Sequence, residues 1–295
     1  FGFSLNERLV YVRTGRHRGG RNNSNRHRQP TLASVARENA AALPDDSPVL
    51  AVFKQAAVIL TDRQDRHERL VKLSRDITIE SKRIIFLLHS FATKDTLQII
   101  ITEAKDRIQK LIEEPIKSIG LELEQSPAYL HSKAVTAGFQ EFIEAYTLCT
   151  MIEKKEIISY AEVQKQFTFT IKDDEDTERT VVTLIPEHDY MLGIADLTGE
   201  MMRRAINSIS SGDSEECYNA CQVVREMYTG FLGLFKPGRE LSRKLSTTRA
   251  NALKVESAVF ALAVRGGEAP SSLLLRPSAP PPEWDSHSDD DEGFF

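Results

Sequence analysis

The stretch "RHERLVKLSRDITIESKRIIFLLH", residues 66–89, decides the fold class. On a helix turning about 100° per residue, Leu70, Leu73, Ile77, Ile84 and Leu88 fall within about 60° of one another and form a core stripe. Lys72, Arg75, Lys82 and Arg83 gather on the far side, within about 100°. Such an arc reads either as a solvated charged face or, with four cations and few acids, as a track for a nucleic-acid backbone. No aromatic-rich motif for base stacking accompanies it, so sequence-specific readout is not indicated. Ile79 and Phe86 lie among these cations, and exposed apolar groups of this kind call for a covering partner.

Working outward, the same helical period extends over residues 49–91, behind a "PDDSP" start region. Further helices are expected at about 94–118, 126–156 (interrupted only by Gly138), 189–210, 214–234 and 238–265. The turns between them are marked by "SSGDS" and "FKPGR". One segment departs from the pattern: "FTFTI" and "TVVTLI" alternate weakly around an acidic "KDDEDTER" loop, which predicts a short hairpin. No fixed-period repeat is evident. The expectation is a single all-α domain of about seven helices over residues 45–266.

Charge divides the chain into three. Residues 1–44 carry eight Arg against Glu7 and Glu38, a net +6, without apolar periodicity, and are expected to be a disordered basic arm. Residues 267–295 carry seven acids against Arg276, a net −6, and are expected to be a disordered Pro-rich tail. The remainder sums to −5. No run of about 18 apolar residues is present to span a bilayer. Three cysteines, Cys149, Cys217 and Cys221, form an odd, sparse set that fits unpaired thiols in a reducing compartment.

Two segments carry candidate chemistry. In "GFQEFIEAY", residues 138–146, Glu141 and Glu144 point within about 60° of each other, while Phe139, Phe142, Ile143 and Tyr146 take the opposite side. Ala137, Leu148 and Ile152 fall beside the acids, so this helix is apolar nearly all round and reads as buried. In "GIADLTGEMMRR", residues 193–204, Asp196 and Glu200 lie within about 40°, with Arg203, Asn207 and Asp189 extending the stripe. Gly193 and Gly199 remove bulk beside them, so that a backbone or ligand can come close. A carboxylate stripe is also what a solvated helix face shows. If the four acids converge, two charges ~5 Å apart repel by about 3 kcal/mol at an effective dielectric near 20, so a cluster needs cations or shared protons. Oxygen donors alone favour Mg²⁺ or Mn²⁺ over zinc or copper. A di-iron bundle would place a His three residues after a Glu, and neither helix does.

"ERLVKLSRDITIESKRIIFLLH", "GFQEFIEAY", "DYMLGIADLTGEMMRRAINS" and "KVESAVFALAVRG", in this order and spacing, resemble the translin family, and within it the subunits that partner translin rather than translin itself. The resemblance spans roughly residues 50–267. It implies a seven-helix fold, a hollow hetero-oligomer with translin, and single-stranded RNA or DNA held inside. It further implies a Mg²⁺-dependent endoribonuclease in the cytoplasm and nucleus, removing passenger-strand fragments in RNA silencing or tRNA fragments. The family's catalytic acids fall on Glu141, Glu144, Asp196 and Glu200, with Glu144 and Glu200 as the direct metal contacts. A non-catalytic nucleic-acid-binding adaptor that stabilises or transports translin is the alternative. If the exposed Ile79 and Phe86 keep the chain from folding alone, it is expected to be soluble only when co-produced with translin.

Overall fold

The computed structural model describes residues 47–90, 94–124, 126–172, 178–234 and 238–265. The expected basic arm and acidic tail lie outside the described residues, as does the middle of the "KDDEDTER" loop. The chain divides into two compact units, residues 1–60 and 61–295. Of the first, residues 47–60 are described and are helical from Pro48. Ser47 Oγ accepts the Leu50 N–H at 3.4 Å, and Pro48, which has no N–H to leave unpaired, takes the first helical position. These turns expose Val49, Val52, Phe53, Val58, Ile59 and Leu60.

Helix α1 (Pro48–Leu88) continues into the second unit with the stripe the period demands: Leu70, Ile77, Ile84 and Leu88 are wholly buried and Leu73 partly so. Ser74 and Ser81 complete it. Ser74 is small for a reason. Its Oγ accepts the backbone N–H of Gly138 at 3.1 Å, and a Cβ on Gly138 would stand 2.9 Å from the Ser74 carbonyl oxygen. The glycine that interrupts the apolar run is therefore where two helix backbones meet.

Helix α2 (Lys94–Leu111) passes through one π turn, Ile112–Ile116, into α3 (Lys117–Leu123). Pro115 sits inside that turn; it has no N–H to give the helical ladder, and the wider turn absorbs the loss, carrying the rod past the expected end at 118. Helix α4 (Ser132–Lys154) starts later than the expected 126. Pro127 holds an extended ψ of 121°, so a short 3₁₀ turn, Ala128–Leu130, precedes the helix. Helix α5 (Tyr160–Gln166) was not expected; its start is a capping box in which Ser159 and Glu162 satisfy each other's backbone N–H.

Strands β1 (Thr168–Lys172) and β2 (Glu178–Val182) form the antiparallel hairpin, with Phe169 opposite Val181. Thr183 Oγ1 donates to the Ile116 carbonyl at 2.9 Å and ties the hairpin to the α2–α3 rod. Helix α6 (Glu187–Ser211) occupies the centre, packed by α4, α7 (Ser214–Leu232) and α8 (Arg239–Arg265). With α2, the π turn and α3 counted as one rod, seven helices and one hairpin make up the described residues. The fold is all-α. Cys149, Cys217 and Cys221 are buried free thiols. Among the described residues no helix is long and apolar enough to cross a membrane.

Candidate active site

Gly193 sets how closely α4 and α6 approach. A Cβ there would lie 2.7 Å from both the Gln140 carbonyl oxygen and Ile143 Cβ, so only glycine lets the two backbones come so near. Beside this contact Asp189 is buried and accepts hydrogen bonds from Thr136 Oγ1 at 3.2 Å and Gln140 Nε2 at 3.0 Å. Asp189 was expected to extend the acidic stripe; instead it clamps α6 to α4, because its carboxylate finds donors within the interface.

The four candidate acids, Glu141, Glu144, Asp196 and Glu200, lie close enough for the other three to act on Glu144. Glu144 is partly buried and its carboxyl is pushed up to about 8, first by burial and then by the negative charges of Asp196, Glu200 and Glu141, with Lys244 pulling the other way. Its side chain has no hydrogen bond or ion pair among the described residues. The remaining three are each matched by a cation or a histidine. Lys82 of α1 reaches Glu141 at 3.2 Å, and Lys244 of α8 forms an ion pair with Asp196. Glu200, only 8 % exposed, is held by His89 Nε2 at 2.8 Å and Arg203 at 3.1 Å. Four helices thus supply the cluster and its counter-groups.

An all-oxygen donor set with one uncompensated acid suits a hard divalent cation in chemistry and charge. The present side-chain positions are those of an ion-paired cluster: among the described residues no three His, Cys, Asp or Glu side chains are grouped to hold a metal ion. Asp196 would have to exchange Lys244 for the cation, whereas Glu200 can keep His89, since each carboxylate oxygen has a second lone pair.

The basic candidates separate into two kinds. Lys72 and Arg75 are exposed and have no ion pair among the described residues. Lys82, Arg83 and Arg203 are exposed but paired, with Glu141, Glu80 and Glu200 respectively. Arg107 of α2, which sequence reading passed over, joins them by sharing Glu80 with Arg83, both at 3.2 Å. His89 and Lys244 were also missed. Each meets its acid across a long sequence separation, which leaves no local spacing to read.

The family model described as Translin family matches residues 65–266, a span that contains all four acids and their counter-groups. The chain belongs to the translin family. It is 40 % identical over 242 residues to Translin-associated protein X of Mus musculus, covering 77 % of this chain and 83 % of that protein. In three dimensions it is similar to the crystal structure of apo-NeC3PO, with a TM-score of 0.55, 20 % identity, and coverage of 74 % of this chain and 98 % of the other. It is also similar to AfC3PO in a complex with duplex RNA, with a TM-score of 0.52 at 20 % identity, covering 74 % of this chain and 99 % of the other. These two likenesses establish a shared translin-type fold.

Proposed function

We propose that the chain is the catalytic subunit of a translin hetero-oligomer, a Mg²⁺-dependent endoribonuclease that acts on single-stranded RNA and also binds single-stranded DNA. Passenger-strand fragments of RNA silencing and tRNA fragments are the natural substrates of such an activity. The observation that carries this reading is Glu144, whose carboxyl is driven up to about 8 by burial and three neighbouring carboxylates. A carboxyl so crowded by like charge is poised to trade its proton for a cation. The similarity to Translin-associated protein X supports translin as the partner. RNA as the class of nucleic acid is supported by the AfC3PO complex, which holds duplex RNA; the restriction to single strands is part of the proposal.

In this reading Glu144 and Glu200 hold the Mg²⁺, for which Mn²⁺ can substitute, and Asp196 and Glu141 complete the negative site. When bound, the divalent cation supplies Lewis acidity to a scissile phosphodiester. Arg203 and Lys82, each on the edge of the cluster, orient phosphate oxygens. The basic arc of Lys72, Arg75, Lys82 and Arg83 neutralises the rest of the backbone.

The ion pairs on Glu141, Asp196 and Glu200 favour a second reading, a non-catalytic nucleic-acid-binding adaptor, since a cluster balanced by protein cations needs no metal. One experiment separates the two. The chain co-purified with translin is expected to cut single-stranded RNA in Mg²⁺ and not in chelator, and Glu144→Ala is expected to abolish cutting with assembly intact. Cutting by the Glu144→Ala complex would remove the site assignment, and binding without metal-dependent cutting would establish the adaptor.

A further inference from the structure

An open groove of about 380 Å³ lies beside the acid cluster, lined by Lys82, Arg83, Phe86, Leu87, Ser90 and Arg107. Its exposed surface is mainly apolar, although three of its six lining residues carry a cationic head group. Phe86 is 75 % exposed, and no other ring stacks on it among the described residues. Lys82 and Arg83 stand one turn before it on α1, on the side where residues three and four apart are neighbours, and Ser90 lies just past the helix end. Arg107 closes the groove from α2. Glu80 accepts from both Arg83 and Arg107 at 3.2 Å, which fixes the spacing of the two guanidinium groups; Arg107 also pairs with Glu103 one turn earlier on α2, and neither acid lines the groove.

We propose that this groove is a base-stacking subsite, in which one unpaired nucleobase lies on the Phe86 ring while its flanking phosphates engage Arg83 and Arg107. The free donors of the lining decide the occupant. Lys82, Arg83 and Arg107 are already paired with Glu141 and Glu80, yet the side chains of Lys82 and Arg83 stay mostly exposed, and their remaining N–H groups can each still donate to a phosphate. A nucleotide covers the ring with its base and brings the anions with it, and stacking tolerates any base. The groove is small for a drug-sized ligand but adequate for a single nucleotide. Lys82 belongs to both sites, since it lines the groove and pairs with Glu141, so a strand stacked on Phe86 runs on to the acids. A base held in a duplex cannot offer its face to Phe86, and the subsite therefore selects single strands. Phe86 has a role that periodicity alone assigned to a covering partner.

This inference rests on the nucleic-acid reading above but not on the metal, and it is tested with chelator present, where nothing is cut. The full chain, co-produced with translin, is titrated with a labelled oligoadenylate and with an abasic oligomer of equal length. Phe86→Ala is expected to weaken oligoadenylate binding about 5- to 150-fold and to leave the abasic oligomer unaffected. Arg107→Ala is expected to weaken both. Phe86→Trp, which keeps the platform, is expected to retain affinity and, in a Trp284→Phe background, to add Trp emission over that background complex that oligoadenylate quenches. Unchanged oligoadenylate affinity in Phe86→Ala, or an unquenched Trp, overturns the proposal. Loss of translin from Phe86→Ala on gel filtration, with the affinity of the remaining chain unchanged, overturns it in favour of a protein interface. Binding without metal-dependent cutting by the wild-type complex would sink the nuclease reading and leave these binding results standing.

Discussion

His89 Nε2 lies 2.8 Å from Glu200 Oε2, joining the end of α1 to the acidic face of α6 across 111 residues of sequence. With Arg203 on the other carboxylate oxygen, this contact fixes the plane of Glu200. Groups that orient a metal-binding carboxylate are typically worth 10- to 100-fold in metal affinity or activity. At the proposed Mg²⁺ site, His89→Ala is therefore expected to weaken binding of the cation by about that factor, read by calorimetric titration of the complex, and His89→Gln is expected to recover most of it. An unaltered Mg²⁺ isotherm in His89→Ala would reduce this histidine to a packing role.

Glu144 makes stability depend on pH with a definite sign. The folded carboxyl keeps its proton up to about 8, whereas the unfolded one releases it near 4.5. Between those values the unfolded state gains by ionising, so the contribution is fully present below about pH 4.5 and is lost as pH rises through about 8. The limiting slope is roughly 1.4 kcal/mol per pH unit, reduced here because the side chain is only partly buried. Glu144→Gln should match the wild type at pH 4 and unfold at higher temperature than it at pH 8.5. Parallel melting curves for the two proteins across that range would show that Glu144 ionises as freely as a surface acid.

Part of this arrangement was legible in the sequence and part was not, for physical reasons. Leu70, Ile77, Ile84 and Leu88 repeat at the helical period, so their burial follows from local spacing. The same holds for Glu141 with Glu144 and for Asp196 with Glu200, each pair being one turn apart on one helix. Their meeting is not local. It depends on Gly193 admitting α4, and no spacing rule relates residue 193 to residue 140. Helix α5 is only seven residues long, too short for a period to emerge. Asp189 shares the stripe of Asp196 and Glu200 but lies over Thr136 and Gln140, so equal angular position on α6 conceals opposite environments.

Lys72 and Arg75 provide a test of the backbone track that is independent of the acids. Both are exposed, and neither has an ion pair among the described residues, so no described side chain competes with a phosphate for them. Each phosphate contact on a single strand contributes about 0.7 to the slope of log affinity against log salt. The double variant Lys72→Ala, Arg75→Ala is expected to lower that slope for single-stranded RNA by roughly 1.4, with the loss shared evenly among sequences. A parallel salt titration for variant and wild type would place the strand elsewhere on the surface.

Gly193→Ala tests whether the contact between α4 and α6 positions the acids. The added methyl would meet the Gln140 carbonyl oxygen and Ile143 Cβ, both at 2.7 Å, and the first is backbone that cannot turn aside. The helices must separate, at a typical overpacking cost of about 1–3 kcal/mol. A lower melting temperature alone would be unremarkable for a core glycine. The specific consequence is electrostatic: moving α6 away from α4 draws Asp196 and Glu200 back from Glu144, so its carboxyl should fall toward the ordinary range. The variant is therefore expected to be less stable than the wild type at pH 5 and to lose less stability between pH 5 and pH 8. A variant destabilised equally at both pH values would mean that the acids keep their spacing without this contact.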